Sequence, residues 1–207
     1  MVFVTHMEHH SNHTSWMESL ADVVVLPSDD AGLVDPESLR RLIVTYTGRP
    51  LLIGSFTACS NVTGITTPYH DLARIMHEHG GYCFVDFAAS APYVAIDMHP
   101  ADPMAALDAV FFSPHKFLGG PGTPGALIFT KRLYRNRVPD HPGGGTVNWT
   151  NPWGVHSFIE DIEAREDGGT PAFLQTMRAA LAVRLKEEMG VEAIHAREQE
   201  LFATAFR

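Results

Sequence analysis

The sequence predicts an open α/β sheet with mostly parallel strands, and three observations carry that prediction. Short apolar runs recur along the chain, at Val2 to Thr5, Asp22 to Leu26, Leu51 to Phe56, Tyr82 to Phe87, Ala109 to Phe112 and Ala126 to Phe129. Most are continuous rather than alternating, which is the pattern of strands covered on both faces. Capped amphipathic helices separate them, as crossovers between parallel strands require. With 207 residues, 45% of them hydrophobic, the chain is long enough for one such domain with a sizeable core and short for two.

Taken in order, Val2 to Thr5 reads as a strand that begins abruptly, and E-H-H-S-N-H-T-S-W reads as a polar loop. After the strand at Asp22 to Leu26, Asp35 is the N-cap of a helix, with Pro36 in its first position and Leu39, Leu42 and Ile43 on one face. The strand Leu51 to Phe56 runs into T-A-C-S-N-V-T-G, and Thr67-Pro68 caps a helix whose apolar face is Leu72, Ile75 and Met76. Gly80-Gly81 stops that helix. Tyr82 to Phe87 is a strand with Asp86 near its end, and a short helix at Pro103 to Leu107 leads to the strand Ala109 to Phe112. Beyond the return strand at Ala126 to Phe129 come a basic turn to Arg137 and a loop, Asp140 to Gly154, without clear period. Thr170-Pro171 caps the longest helix, about Ala172 to Met189, and a last helix runs from near Val191 to Arg207.

The formal net charge of -9 leaves no basic footprint for nucleic acid. No apolar run approaches the roughly 20 residues that span a bilayer, and Met1 to Glu8 has no basic n-region, so the expected compartment is the cytoplasm. Cys59 and Cys83 read as small buried hydrophobes in a reducing environment. His6, His9, His10 and His13 lack the H-E-x-x-H spacing of a zinc helix, so no metal is assigned to them. His77 and His79 read as a solvated helix end. Gly120 to Gly125 matches G-x-G-x-x-G, but it precedes a strand and holds two prolines, which excludes a dinucleotide turn. Phe173, Met177 and Leu181 recur at helical spacing as core or dimer-interface residues.

The strand Ala109 to Phe112 breaks at Ser113-Pro114 and delivers His115 and Lys116 to a turn, followed by a glycine- and proline-rich loop. A lysine among apolar and small neighbours, held near a low-dielectric interior, loses its proton more easily, as a Schiff-base amine must. The alternative is a lysine snorkelling from a strand end. Ligands of open α/β sheets bind beyond the carboxyl ends of the strands. Asn61, Asp86 and His115-Lys116 fall at those ends, with His9 and His10 nearby.

The segments E-H-H-S-N at Glu8, S-N-V-T-G at Ser60, V-D-F-A-A-S-A-P at Val85, S-P-H-K-F-L-G-G-P-G-T-P-G at Ser113 and G-G-T-P at Gly168 follow one another as they do in the class V aminotransferases. The chain resembles that family, and within it the cysteine desulfurases of the selenocysteine-lyase type. The resemblance implies a fold-type-I, pyridoxal-phosphate-dependent large domain of three α/β/α layers acting as a transferase or lyase on an α-amino acid. It implies that Lys116 holds pyridoxal 5'-phosphate as an internal aldimine and then shuttles the Cα proton. Asp86 pairs with the pyridinium nitrogen, His9 stacks on the ring, and Asn61 lies near the 3-oxygen. Ser113 and His115 bind the phosphate, and Thr170 reaches the phosphate of the neighbouring subunit in a homodimer. Three residues after Asp86 the desulfurases commonly carry glutamine or histidine, whereas this chain has Ala89. That departure suits a desulfurase-like branch with another amino-acid substrate.

The resemblance also implies that family segments lie before Met1 and after Arg207. Residues 1–190 are then expected to form a partial, N- and C-terminally truncated large domain, and 191–207 the helix leading to a small domain. Neither cysteine matches the family's nucleophilic loop. A reading from a different class remains beside this one: a non-catalytic remnant kept for association, unable to bind the cofactor productively.

Overall fold

Six strands form one sheet in the computed structural model, which describes residues 1–206. They are β1 (Val2–Val4), β2 (Val23–Val25), β3 (Ile53–Thr57), β4 (Tyr82–Asp86), β5 (Ala109–Phe112) and β6 (Ala126–Phe129), in the spatial order β2-β1-β3-β4-β5-β6. All neighbours are parallel except β6, which runs back along β5. The helices are α1 (His10–Met17), α2 (Pro36–Ile43), α3 (Tyr69–Glu78), α4 (Ile162–Glu166), α5 (Phe173–Met189) and α6 (Val191–Ala205). Two further strands, β7 (Val147–Thr150) and β8 (His156–Phe158), make a separate antiparallel hairpin. The predicted mostly parallel α/β sheet is therefore the observed one.

Alternation along the strands divides the side chains into two layers. Phe3, Phe56, Cys83, Val85 and Val110 join Leu39, Ile43, Leu72, Ile75 and Met76 of α2 and α3 in the main core. Val2, Val4 and Ile53 point the other way and pack with Trp16 of α1 and with Phe84. From β1 the chain crosses to β2, and from β3 it crosses in the opposite direction to β4. The order thus reverses between β1 and β3, and their carboxyl ends flank the crevice where such sheets bind ligands.

Several local expectations change. The polar stretch after β1 is helix α1, because His9 caps it by accepting from the Ser11 N–H through Nδ1, at 3.2 Å. Thr67 does not cap α3; its hydroxyl instead donates to the Thr57 carbonyl, and Pro68 precedes the helix without a side-chain cap. Thr170 does not cap α5 either, since the cap position falls on Ala172, with no side-chain hydrogen bond. The loop from Asp140 to Gly154 contains β7, whose pairing with β8 no local period announces. Gly190, at φ +77°, ends α5 and starts α6. α6 stops at Ala205, so its expected continuation to Arg207 lies in part outside the described residues. Phe173, Met177 and Leu181 are exposed and not part of this chain's core.

His77 is not solvated. Its Nε2 lies 2.8 Å from Oδ2 of Asp108, a residue only 1% exposed, and its Nδ1 lies 2.7 Å from the Met104 carbonyl. Asp108 also accepts from the Cys83 N–H at 2.9 Å and from the Arg132 guanidinium. This carboxylate ties the end of α3 to β4 and to the turn after β6. Burial works against its charge, but the bonds from His77, Arg132 and Cys83 outweigh that and hold its pKa below the ordinary value. The Asp108 bond, against an opposing burial effect, raises the pKa of His77. Asp108→Ala should destabilise the fold by about 1–3 kcal/mol, because it leaves the buried Cys83 N–H and the His77 ring without their acceptor. The paired charges contribute fully between about pH 4 and pH 6.5. Asp108's share is lost in acid below that window, and His77's share is lost as pH rises through its raised pKa. Thermal melts across pH 6 to 8 should therefore slope downward in the wild type and flatten in His77→Gln; an unchanged slope would refute the assignment.

Candidate active site

The carboxyl edge of β3, β4 and β5 opens into a cavity of about 710 Å³. That volume lies within the roughly 300–1,000 Å³ typical of small-molecule sites. Its wall includes His9, Asn61, Asp86, Ser113, His115 and Lys116, so residues far apart in sequence and singled out there converge on one space. Thr170 is the exception: it is exposed and lies outside that wall.

Asp86 ends β4, opposite Thr57 of β3 and Phe111 of β5, and is only 7% exposed. Its Oδ1 accepts from the Ala88 N–H at 2.8 Å, so it is also the turn aspartate its sequence position allows. Among the described residues no donor reaches Oδ2. Burial raises its pKa, partly offset by the Ala88 N–H and by the electrostatic influence of Lys116 and His9. The carboxylate is therefore desolvated, faces a cavity and keeps an acceptor oxygen to spare, an environment suited to a cationic N–H donor.

Lys116 closes the single 3-10 turn Pro114–Lys116. The low-dielectric seat expected for it is not observed, since Lys116 is exposed at the cavity rim. The turn carries it past the sheet edge, and burial falls on its neighbours Pro114 and Phe117. Gly120 passes against the same turn so closely that an added Cβ would lie 1.9 Å from the Pro114 carbonyl oxygen. Only a residue without a side chain fits there, and its N–H bonds the Phe117 carbonyl at 2.9 Å. The lysine is thus fixed by packing on both sides while its own side chain stays accessible. Lys116 is one of three lysines in the chain and, among the described residues, the only one on this wall.

Sequence reading missed Glu8, Asn12, Thr57 and Cys59. Cys59 is half-buried and lines the cavity, so only Cys83 is the fully buried thiol expected of both. Burial raises the pKa of the Cys59 thiol. Glu8 joins three elements: Oε1 accepts from the Thr5 N–H at 3.1 Å, the Thr5 hydroxyl at 2.7 Å and the Thr57 N–H at 2.9 Å, while Oε2 accepts from Asn12 Nδ2 at 2.7 Å. Burial raises its pKa despite those bonds. The tie holds His9, the next residue, at the cavity. Glu8→Gln should cost about 1–3 kcal/mol, because its amide would meet the Asn12 amide donor to donor. Asn12 cannot flip in response, since its Oδ1 already accepts from Ser55 and Trp16. A denaturant titration that leaves Glu8→Gln as stable as the wild type would remove that account.

A parallel sheet with helices on both faces and a cavity walled by a strand-end carboxylate and a turn-borne lysine define an α/β class with a ligand-sized cavity at its strand ends. Comparison with known proteins narrows it: the family model "Aminotransferase class-V" matches residues 1–207, and the chain belongs to that family. It is 31% identical to a probable cysteine desulfurase of Halobacterium salinarum, over 99% of this chain and 48% of that one. It is likewise 31% identical to a cysteine desulfurase of Haloferax volcanii, over 99% of this chain and 46% of that one. Among solved structures, the cysteine desulfurase CsdA of Escherichia coli superposes with a TM-score of 0.78 at 25% identity, covering 93% of this chain and 46% of the other. The apo cysteine desulfurase of Thermococcus onnurineus NA1 gives 0.74, over 92% of this chain and 46% of the other. The chain thus spans about half the length of the relatives it matches, and its fold is that of the fold-type-I pyridoxal-phosphate enzymes. No described helix is long and apolar enough to cross a membrane.

Proposed function

We propose that this chain forms most of the cofactor-binding large domain of a pyridoxal-phosphate-dependent, cysteine desulfurase-like enzyme acting on an α-amino acid. The observation that carries this reading is the pairing of buried Asp86, one oxygen unoccupied by the protein, with Lys116 on the wall of one cavity. The donor set fits the group. Asp86 would take the ring N–H, Ser113 and His115 offer donors for phosphate oxygens, and His9 and Asn61 supply an aromatic face and an amide on the same wall.

When bound, pyridoxal phosphate supplies an aldehyde that condenses with amines and a ring that draws electron density from the substrate α-carbon. Lys116 would provide the attaching amine and would carry the proton to and from Cα. Asp86 would hold a proton on the ring nitrogen, its own burial strengthening that pairing. Ala89 stands on the cavity wall where it can donate nothing, which favours an amino-acid substrate other than that of the desulfurases. Thr170, exposed at the start of the α5 region, would serve a neighbouring subunit, and the exposed Phe173, Leu174 and Met177 support a homodimer. The two free cysteines support a cytoplasmic setting.

The test is to titrate the chain with pyridoxal phosphate, follow visible absorbance, reduce with borohydride and map the labelled peptide. A stoichiometric label on Lys116, with Lys131 and Lys186 unmodified, is the expected outcome. No visible band, or label spread over all three lysines, overturns the proposal and favours a non-catalytic association domain.

A further inference from the structure

Helix α5 meets the segment after Asp86 and the segment after Lys116 through one side chain. Lys186 Nζ donates to the Ala91 carbonyl at 2.6 Å and also to the Val94 carbonyl. These two carbonyls belong to the helical turn that begins at Phe87, in which Ala91 N–H bonds Phe87 O at 2.7 Å and Val94 N–H bonds Ser90 O at 3.1 Å. The same turn supplies the Ala88 N–H that Asp86 accepts. The ammonium also stands 5.8 Å from the ring centroid of Phe117, the residue after Lys116. Earlier on α5, Arg178 donates to the Pro121 carbonyl at 2.8 Å and fastens the far end of the lysine loop.

A lysine on an exposed helix face ordinarily stays in water, where its three donors are satisfied at no cost in rotamer freedom. Lys186 is instead half-buried, with donors committed to carbonyls that end a turn and lack helical partners. Its neighbour Ala182 is 4% exposed, so α5 packs closely here and transmits any shift.

We propose that Lys186 is a positioning residue: by clamping the turn after Asp86 against the turn after Lys116, it sets the separation of those two groups across the cavity. This inference rests on the proposed cofactor chemistry. Lys186→Met keeps the apolar stem and removes every donor. It should weaken pyridoxal-phosphate binding by about ten- to a hundredfold, the scale expected when catalytic geometry slips by a fraction of an ångström to one ångström. It should also move the pH midpoint of the visible band, because that midpoint reads the field set by the Lys116–Asp86 spacing. Lys186→Arg, which can still donate to both carbonyls, should recover part of the loss. Hydrogen exchange of the residue 87–94 amides should quicken in Lys186→Met while β1 and α2 keep wild-type protection. Should Lys186→Met fail to fold, Lys186→Gln, which retains one amide donor group, should show the same midpoint shift in reduced size. A folded variant with wild-type affinity and band midpoint overturns the inference even if its melting temperature falls, since that pattern is purely structural. A wild type without any band overturns both this and the function on which it rests.

Discussion

Lys116→Ala should abolish the visible band with pyridoxal phosphate and leave the fold intact. The side chain is exposed, so its loss should change stability by no more than about 0.5 kcal/mol. No other lysine can replace it. Lys131 follows β6 at the opposite edge of the sheet, where Thr130 N–H bonds the Asp108 carbonyl, and Lys186 is committed to Ala91 and Val94. With Lys116 proposed both to attach the cofactor and to carry the Cα proton, turnover by the complete enzyme should fall by at least the roughly 10²–10⁴-fold assigned to a positioned acid–base group. Absorbance titration beside a thermal melt makes the check. A band that survives in a folded Lys116→Ala chain ends the assignment.

Asp86→Asn should separate stability from function in opposite directions. The carboxylate's pKa is raised in the fold, chiefly by burial, so its ionised form costs stability at all pH above that raised value. Asparagine can still accept from Ala88 but carries no charge, so the cofactor-free variant should melt at or above the wild-type temperature at pH 7. The gain should fade as pH falls through that raised pKa, since the wild-type carboxyl is then neutral too. Cofactor binding should weaken, and turnover should drop by about 10²–10³-fold, the scale for removing one preorganised electrostatic partner. In the proposed function, that destabilised ground state is the reservoir from which the site would draw a preference for a cation. An Asp86→Asn chain that melts lower than the wild type at pH 7, yet binds cofactor equally well, would contradict both halves of the argument.

How much of this was legible beforehand differs by residue. Asp86 and Lys116 stand where apolar runs end, and the carboxyl ends of parallel strands share one edge, so their meeting follows from strand direction alone. The accessibility of Lys116 did not follow, because it depends on how far one 3-10 turn projects and on Phe117 taking the buried position. Helix α1 was hidden by its composition: His, Ser, Asn and Thr give no apolar stripe, and the helix is held by Glu8, Asn12 and Trp16 reaching elements far away in sequence. The same holds for His77, whose partner Asp108 lies 31 residues along the chain. Local pattern cannot report a bond whose other half is set by the packing of α3 on β4 and on the turn before β5.

The order of amino acids by itself determined the six strands of the main sheet, the direction in which they run and therefore which edge gathers the chemistry, because apolar periodicity and glycine or proline punctuation act within a few residues. Only the tertiary structure decided which of the gathered groups are desolvated, which are free to reach a ligand and which are spent on holding others in place. Burial and hydrogen-bond partnership are properties of the assembled layers: Asp86, Glu8 and Asp108 are all acidic residues near strand ends, yet the fold leaves one facing a cavity with an oxygen to spare and makes the other two braces.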